Sequence, residues 1–224
     1  MSNTQQQKLV VIGGGPAGIM AAVTAAEQGV AVTLLERNQR LGWKLSITGK
    51  GRCNITNDCP VDELIANIPG NGRFMYSALS AFDSADTMDF FRKSGVELKV
   101  ERGRRVFPAS DQAAEVVAAL DKRLRRAGVD VRLGARAKSL HIEDGVIRGV
   151  RCYGGGEFAA DAVVIATGGV SYPRTGSSGD GYVLAEEAGH SIVIPRAALV
   201  PLEVPEAWCH ELTGLSLRNV ELSL

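Results

Sequence analysis

The 224 residues carry 25 Lys and Arg against 25 Asp and Glu, so the chain offers no long-range attraction for nucleic acid or for anionic membrane surfaces. A hydrophobic fraction of 45% fills a sizeable core, yet no apolar run approaches the ~20 residues a bilayer crossing needs, and the polar opening MSNTQQQK lacks the apolar stretch of a secretory signal. Four scattered cysteines, Cys53, Cys59, Cys152 and Cys209, form no CxxC pair; this argues against a thiolate zinc site or a disulfide framework and for a reducing, cytoplasmic setting.

KLVVIGGGPAGIMAAVTAAEQGVAVTLLER reads as strand, glycine turn, helix and strand, with Gly29 ending the helix. Leu9 to Ile12 is continuously apolar, as in a parallel strand covered on both faces. Residues 41–59 have turn chemistry and too little apolar content for a core element, and are expected to form an ordered loop. Helical pieces follow over 62–94, with Phe90 and Phe91 inward and Gly95 closing the last one before a strand from Val96 to Val100. Asp111 to Ala127 is predicted helical from the spacing of Ala113, Val117, Leu120, Leu124 and Ala127, capped by Ser110 and stopped by Gly128. Val129 to Leu133 returns to strand, Asp144 and Gly145 turn a hairpin, and DAVVIATGG is another buried strand. Past His190 the prolines at 195, 201 and 205 and the alternation of LSLRNVELSL suggest a β-rich module. Its last strand ends without neighbours, which reads as a truncated chain.

Gly13, Gly15 and Gly18 form GxGxxG between strand and helix. The first permits the tight turn, the second lets backbone approach a pyrophosphate, and the third allows close helix packing. Pro16 and Ala17 open the helix, whose N-terminus favours phosphate. Glu36, ending the next strand, is placed to accept from ribose hydroxyls and to repel a 2′-phosphate. This unit alone leaves NAD and FAD open. Thr167, Gly168 and Gly169 stand at the carboxyl end of a second buried strand, where open α/β sheets collect ligands. ITGKGRCNITN gathers Lys50, Arg52, Asn54, Thr56 and Asn57 among glycines, either as donors for a polar ring edge or as a solvated basic loop. Asp180 in SSGDGY is read equally as a partner for a cofactor hydroxyl or as a helix cap. Tyr172 reads as a packed aromatic with a satisfied hydroxyl, the alternative being a substrate-side acid. His141, His190 and His210 show neither ligand spacing nor a carboxylate pattern, so no metal site is expected. Cys53 reads as a small buried residue, with a redox thiol as the alternative.

The stretches VVIGGGPAGIMAA, LLERNQRLGWKL, SITGKGRCNITN, GRRVFPASDQA, VVIATGGVSYPRTGSSGDGYVLAEEAGH and ALVPLEV resemble a bacterial flavoprotein family. It includes YhiN-type proteins, BaiN-type bile-acid reductases and aminoacetone-oxidase-like enzymes. The resemblance implies a Rossmann-like α/β FAD-binding domain of the glutathione-reductase type over 1–194, with an inserted β-rich substrate-side domain beginning over 195–224. It implies FAD as cofactor, NAD(P)H as a candidate transient donor, and a small-molecule substrate; oligomeric state is left open. Carried over by position, Gly13, Gly15, Pro16, Ala17, Gly18 and Glu36 hold the ADP part and Arg37 flanks the adenosine. Lys44 with Gly51, Arg52, Cys53 and Asn54 lines the flavin, Thr167, Gly168 and Gly169 approach the cofactor, and the backbone at Ala137 pairs with adenine. The expected activity is FAD-dependent oxidoreduction, the alternative being a flavin-binding redox regulator or assembly protein.

Overall fold

Lys8–Ile12 (β1), Pro16–Glu27 (α1) and Ala31–Glu36 (β2) form the expected strand, helix and strand in a computed structural model that describes residues 6–196, 205–215 and 220–221. Pro16 stands at the first helical position, where its missing N–H costs nothing, and Gly29 leaves the helix at φ 86°. Trp43–Ile47 (α2), a tight turn over Thr48–Gly51 and Thr56–Asn57 (β3) come next, so the loop expected over 41–59 contains a helical turn and a short strand. Its apolar content is small but deeply used: Leu41 and Cys53 lie in the core.

Val61–Ala66 (α3), Tyr76–Ala81 (α4) and Ser84–Lys93 (α5) are the helical pieces, and a capping box between Asp83 and Asp86 starts the last. Leu98–Glu101 (β4) pairs antiparallel with Arg105–Pro108 (β5), a strand the apolar pattern did not announce, and β5 pairs with β3. Ala113–Arg126 (α6) starts at Gln112 instead of Ser110, because the Ser110 hydroxyl is turned to Glu115 while accepting from the Gln112 amide. Asp130–Leu133 (β6) is followed by the antiparallel meander of Ala137–Glu143 (β7), Val146–Cys152 (β8) and Glu157–Ala159 (β9). The β7–β8 turn sits on Asp144 and Gly145, both at positive φ as a tight hairpin requires. Ala162–Ile165 (β10) and Asp180–Glu187 (α7) complete this part.

β10, β1, β2 and β6 lie side by side, all parallel, with Ile12 level with both Leu35 and Ile165. Alternate residues serve opposite faces. Val11, Val32 and Leu34 pack with Ile19, Val23, Val116, Leu120 and Leu124 of α1 and α6, while Val10, Ile12 and Leu35 pack against Val150, Cys152 and Leu184. Each fully buried Leu or Ile contributes roughly 1.5–3 kcal/mol as an upper figure. These two covers make β1 apolar at every position from 9 to 12, and they leave its carboxyl end open between β2 and β10.

The chain divides into two compact units, Met1–Ile192 and Val193–Leu224. The described residues of the second contain a short helix, Trp208–Glu211 (α8); ALVPLEV and most of LSLRNVELSL, on which the expected β-rich module rests, lie outside the described residues. Among the described residues no helix is long and apolar enough to cross a membrane.

Candidate functional site

The carboxyl ends of β1, β2 and β10 open into a crevice of about 320 Å³, at the small end of the range for ligand sites. Gly13 turns out of β1 at φ 116°, and a Cβ there would lie 2.4 Å from the Ala166 carbonyl oxygen. A Cβ on Gly18 would lie 1.9 Å from the Gly13 carbonyl oxygen, so α1 can approach the turn only with glycine at that place. Gly15 is different: a Cβ would meet nothing within 4 Å. It borders the open space over the first turn of α1, where unpaired amides and the positive helix end favour an anion.

Glu36 forms the far wall. Its side chain is buried, Oε2 accepting from the Gly14 amide at 2.7 Å and Oε1 from the Asn38 amide and side-chain amide, each at 2.7 Å. Gly14, a free position in the glycine fingerprint, is also tightly packed: a Cβ would come 2.5 Å from Leu41 and 2.9 Å from Glu36 Oε2, so those side chains would have to shift. Leu35, Ala137 and Leu184 supply an apolar floor.

A third wall comes from the segment after β10. Lys44 Nζ donates to the Ser171 carbonyl oxygen at 3.1 Å and hydroxyl at 2.6 Å, and the Asn38 side chain donates to the Thr175 carbonyl oxygen at 3.2 Å. Arg37 reaches Ser178 at 2.5 Å and Asp180 at 3.3 Å, while Arg136 grips Asp180 through Nε at 2.9 Å and Nη2 at 3.2 Å. Burial pushes the Asp180 carboxyl up, but hydrogen bonds from Arg136 and Ser178, with the charges of Arg136 and Arg37, more than reverse this and hold it below its ordinary value. Asp180 makes no cap bond on α7. It serves as the clasp between two arginines at the crevice rim.

Gly13, Gly15, Pro16, Ala17, Glu36, Arg37, Lys44, Ala137, Thr167 and Gly168 all line this crevice. Gly18 lies behind it as a packing residue, and Gly169 stands just outside. Gly51, Arg52, Cys53 and Asn54 are not among the residues that line it. Arg52 is committed to Glu101 and Asp111 and stacks 4.1 Å over the Phe107 ring. The Asn54 amide, turned to suit its neighbours, donates to the Thr56 and Val106 carbonyl oxygens at 3.1 and 3.2 Å. Burial raises the Cys53 thiol, against a smaller lowering by Thr48, so this sulfur lacks the depressed pKa of a reactive thiolate. The backbone here is unusual nonetheless: Gly49, Lys50, Gly51 and Cys53 all have positive φ, a strain of order 1–3 kcal/mol at each non-glycine residue.

Asn38, Arg136 and Thr175 to Ser177 were missed as crevice residues. Asn38 carried a signal, an amide two positions beyond the strand-end carboxylate; Arg136 carried none, because its role depends on Asp180, 44 residues away. Tyr172, expected to be packed, is 69% exposed with φ 52°. His141, expected to lack carboxylate neighbours, faces Glu157 through Nδ1 and Glu143 at 3.0 Å through Nε2 on the outer hairpin. Among the described residues no group of three or more His, Cys, Asp or Glu could hold a metal.

The donor set fits the adenosine diphosphate end of a dinucleotide: amides and an open helix end for the phosphates, a carboxylate for ribose hydroxyls, and an apolar floor for a base. Comparison with known proteins extends this. Residues 7–221 match the family model described as the HI0933-like protein Rossmann domain. The chain is 36% identical over 201 residues to a 3-dehydro-bile acid delta(4,6)-reductase of Clostridium scindens, covering 88% of this chain and 47% of that protein. It is 31% identical over 207 residues to a ribosomal RNA dihydrouridine synthase of Escherichia coli, covering 92% and 50%. It thus spans about half the length of the curated relatives it matches. The fold is similar, at TM-score 0.65 and 17% identity, to a 3-ketosteroid-delta4-(5alpha)-dehydrogenase of Rhodococcus jostii, over 85% of this chain and 56% of that one.

Proposed function

The chain belongs to the HI0933-like Rossmann family, an FAD-dependent oxidoreductase family, and from that premise we propose that it holds FAD in a reductase that saturates a carbon–carbon double bond conjugated to a carbonyl. The observation that carries this reading is chemical. The delta(4,6)-reductase and the dihydrouridine synthase are named for very different substrates, yet both names describe adding two hydrogens across such a bond. A bound flavin supplies hydride transfer, and the chain supplies position, hydrogen bonds and exclusion of water.

In this proposal Gly13 to Gly18 hold the pyrophosphate, Glu36 the ribose, and Arg37 with the Ala137 backbone the adenine end. Lys44, Thr167, Gly168 and Gly169 extend toward the ring, and the strained 49–53 turn borders the isoalloxazine through its backbone. Residues 195–224 begin a substrate-side domain. NAD(P)H serves as donor. The zero net charge favours a small molecule over RNA.

Flavin released from the purified protein by denaturation, followed by anaerobic mixing with NADH or NADPH and then with a conjugated steroid enone or a uridine-containing RNA, tests this. Repeated turnover on the enone is expected. Turnover on the RNA alone would replace the substrate class, and a tightly held flavin that never turns over would favour the regulator.

A further inference from the structure

We propose that Tyr172 is a catalytic residue of this reductase, a proton donor that touches the substrate at the crevice mouth. The inference rests on the reductase reading above.

Tyr172 sits in the segment that walls the crevice, between Ser171, held by Lys44, and Thr175, held by Asn38. Its carbonyl oxygen accepts from the Thr175 amide at 2.9 Å and hydroxyl at 2.7 Å. The backbone is therefore pinned on both sides. It is pinned at φ 52°, ψ 63°, a left-handed conformation that a bulky aromatic rarely adopts. Strain of this kind persists only where something else compensates it, and here packing does not: the side chain is 69% exposed and its hydroxyl has no hydrogen-bond partner among the described residues. A glycine or asparagine would suit the turn better. The tyrosine side chain is largely open to solvent, three residues before Thr175, which lines the crevice.

The other ionisable groups of the crevice are occupied. Glu36 accepts from Gly14 and Asn38, Asp180 is clasped by two arginines, and Lys44 donates to Ser171. Saturating a conjugated C=C requires one hydride and one proton. The hydride, which carries both electrons, would be supplied by bound flavin reduced by NAD(P)H, and would form the new C–H bond at the carbon β to the carbonyl. As the C=C π bond breaks, the phenol O–H breaks and its proton goes to the α carbon. The resulting tyrosinate recovers its proton from water. A donor with mobile access to solvent suits that return.

Tyr172→Phe in the FAD-loaded protein tests this. Flavin content, Tm and the rate of flavin reduction by NAD(P)H are expected to stay within twofold of wild type, while reoxidation by a steroid enone slows by about 100-fold or more. In the wild type, the saturated ketone product should shield Tyr172 from nitration, read by peptide mass; this readout needs no variant and stands if Tyr172→Phe fails to fold. Wild-type reoxidation in the Phe variant, or nitration of Tyr172 unaffected by product, overturns the proposal and leaves the reductase reading intact. A wild-type dihydroflavin that no enone reoxidises overturns the reductase reading and the proposal with it.

Discussion

The turn after β1 and the turn after α2 are both glycine-rich and both pass through positive φ, yet they are built on opposite principles. Around Gly13 to Gly18 the geometry is fixed by what glycine lacks, and the backbone faces open space. Around Gly49 to Asn54 two polar side chains are engaged within the fold, Arg52 on two carboxylates and a ring and Asn54 on two carbonyl oxygens. The first turn presents backbone to the crevice; the second clamps neighbouring segments through Arg52 and Asn54. Polar residue type therefore says little about a site until the partners that consume it are counted.

The contrast breaks most visibly inside the first turn. Gly13→Ala forces a Cβ to within 2.4 Å of the Ala166 carbonyl at φ 116°, and should destabilise the fold by roughly 3 kcal/mol in urea melts from combined strain and overpacking. Gly15→Ala, with open space around it, should leave the melt unchanged while weakening FAD binding. Equal stability losses for the two would show that the turn is packing and not a cradle.

Glu36→Gln comes next. One carboxylate oxygen would become an amide nitrogen facing an N–H donor, since Gly14 and Asn38 donate to opposite oxygens, leaving a buried mismatch of about 1–3 kcal/mol. FAD affinity measured by flavin fluorescence should fall about tenfold. Unchanged affinity would remove the ribose role.

These two cases also show what the sequence made legible. The βαβ unit, the parallel sheet edge and the glycine spacing are local, so composition and order suffice to place Gly13, Gly18, Glu36 and Gly168. The Arg136–Asp180–Arg37 clasp joins three segments, and the segment of the left-handed Tyr172 is anchored by Lys44 of α2 and by Asn38, just beyond β2; neither is written in any one stretch. The loop over 41–59 was misread because few apolar residues were present, although two of them, Leu41 and Cys53, are buried to 8% and 1% exposure.

A smaller effect is expected from Arg52→Ala. Losing Glu101, Asp111 and the Phe107 face should lower Tm modestly, since the ion pairs are partly exposed. FAD affinity should change by less than about threefold. A large affinity loss at unchanged Tm would return Arg52 to the cofactor and erase the distinction between the two turns.

The smallest effect is acid sensitivity, and it separates the regions by pH alone. Hydrogen bonds from Lys99 and then Arg52 hold the Asp111 carboxyl below its ordinary value, and Arg136, Ser178 and Arg37 outweigh burial to do the same for Asp180. A carboxyl lowered in the folded state stabilises it fully above the unfolded value, about pH 4, and loses that contribution as pH falls through the lower folded value. Below about pH 4, Tm should therefore fall less steeply in Asp111→Asn than in wild type, because part of the titrating stability is already gone. FAD retention over the same interval should instead be flattened by Asp180→Asn, whose clasp borders the crevice. If Asp111→Asn changes the acid release of FAD as much as Asp180→Asn does, the clamp and the cradle are one coupled site.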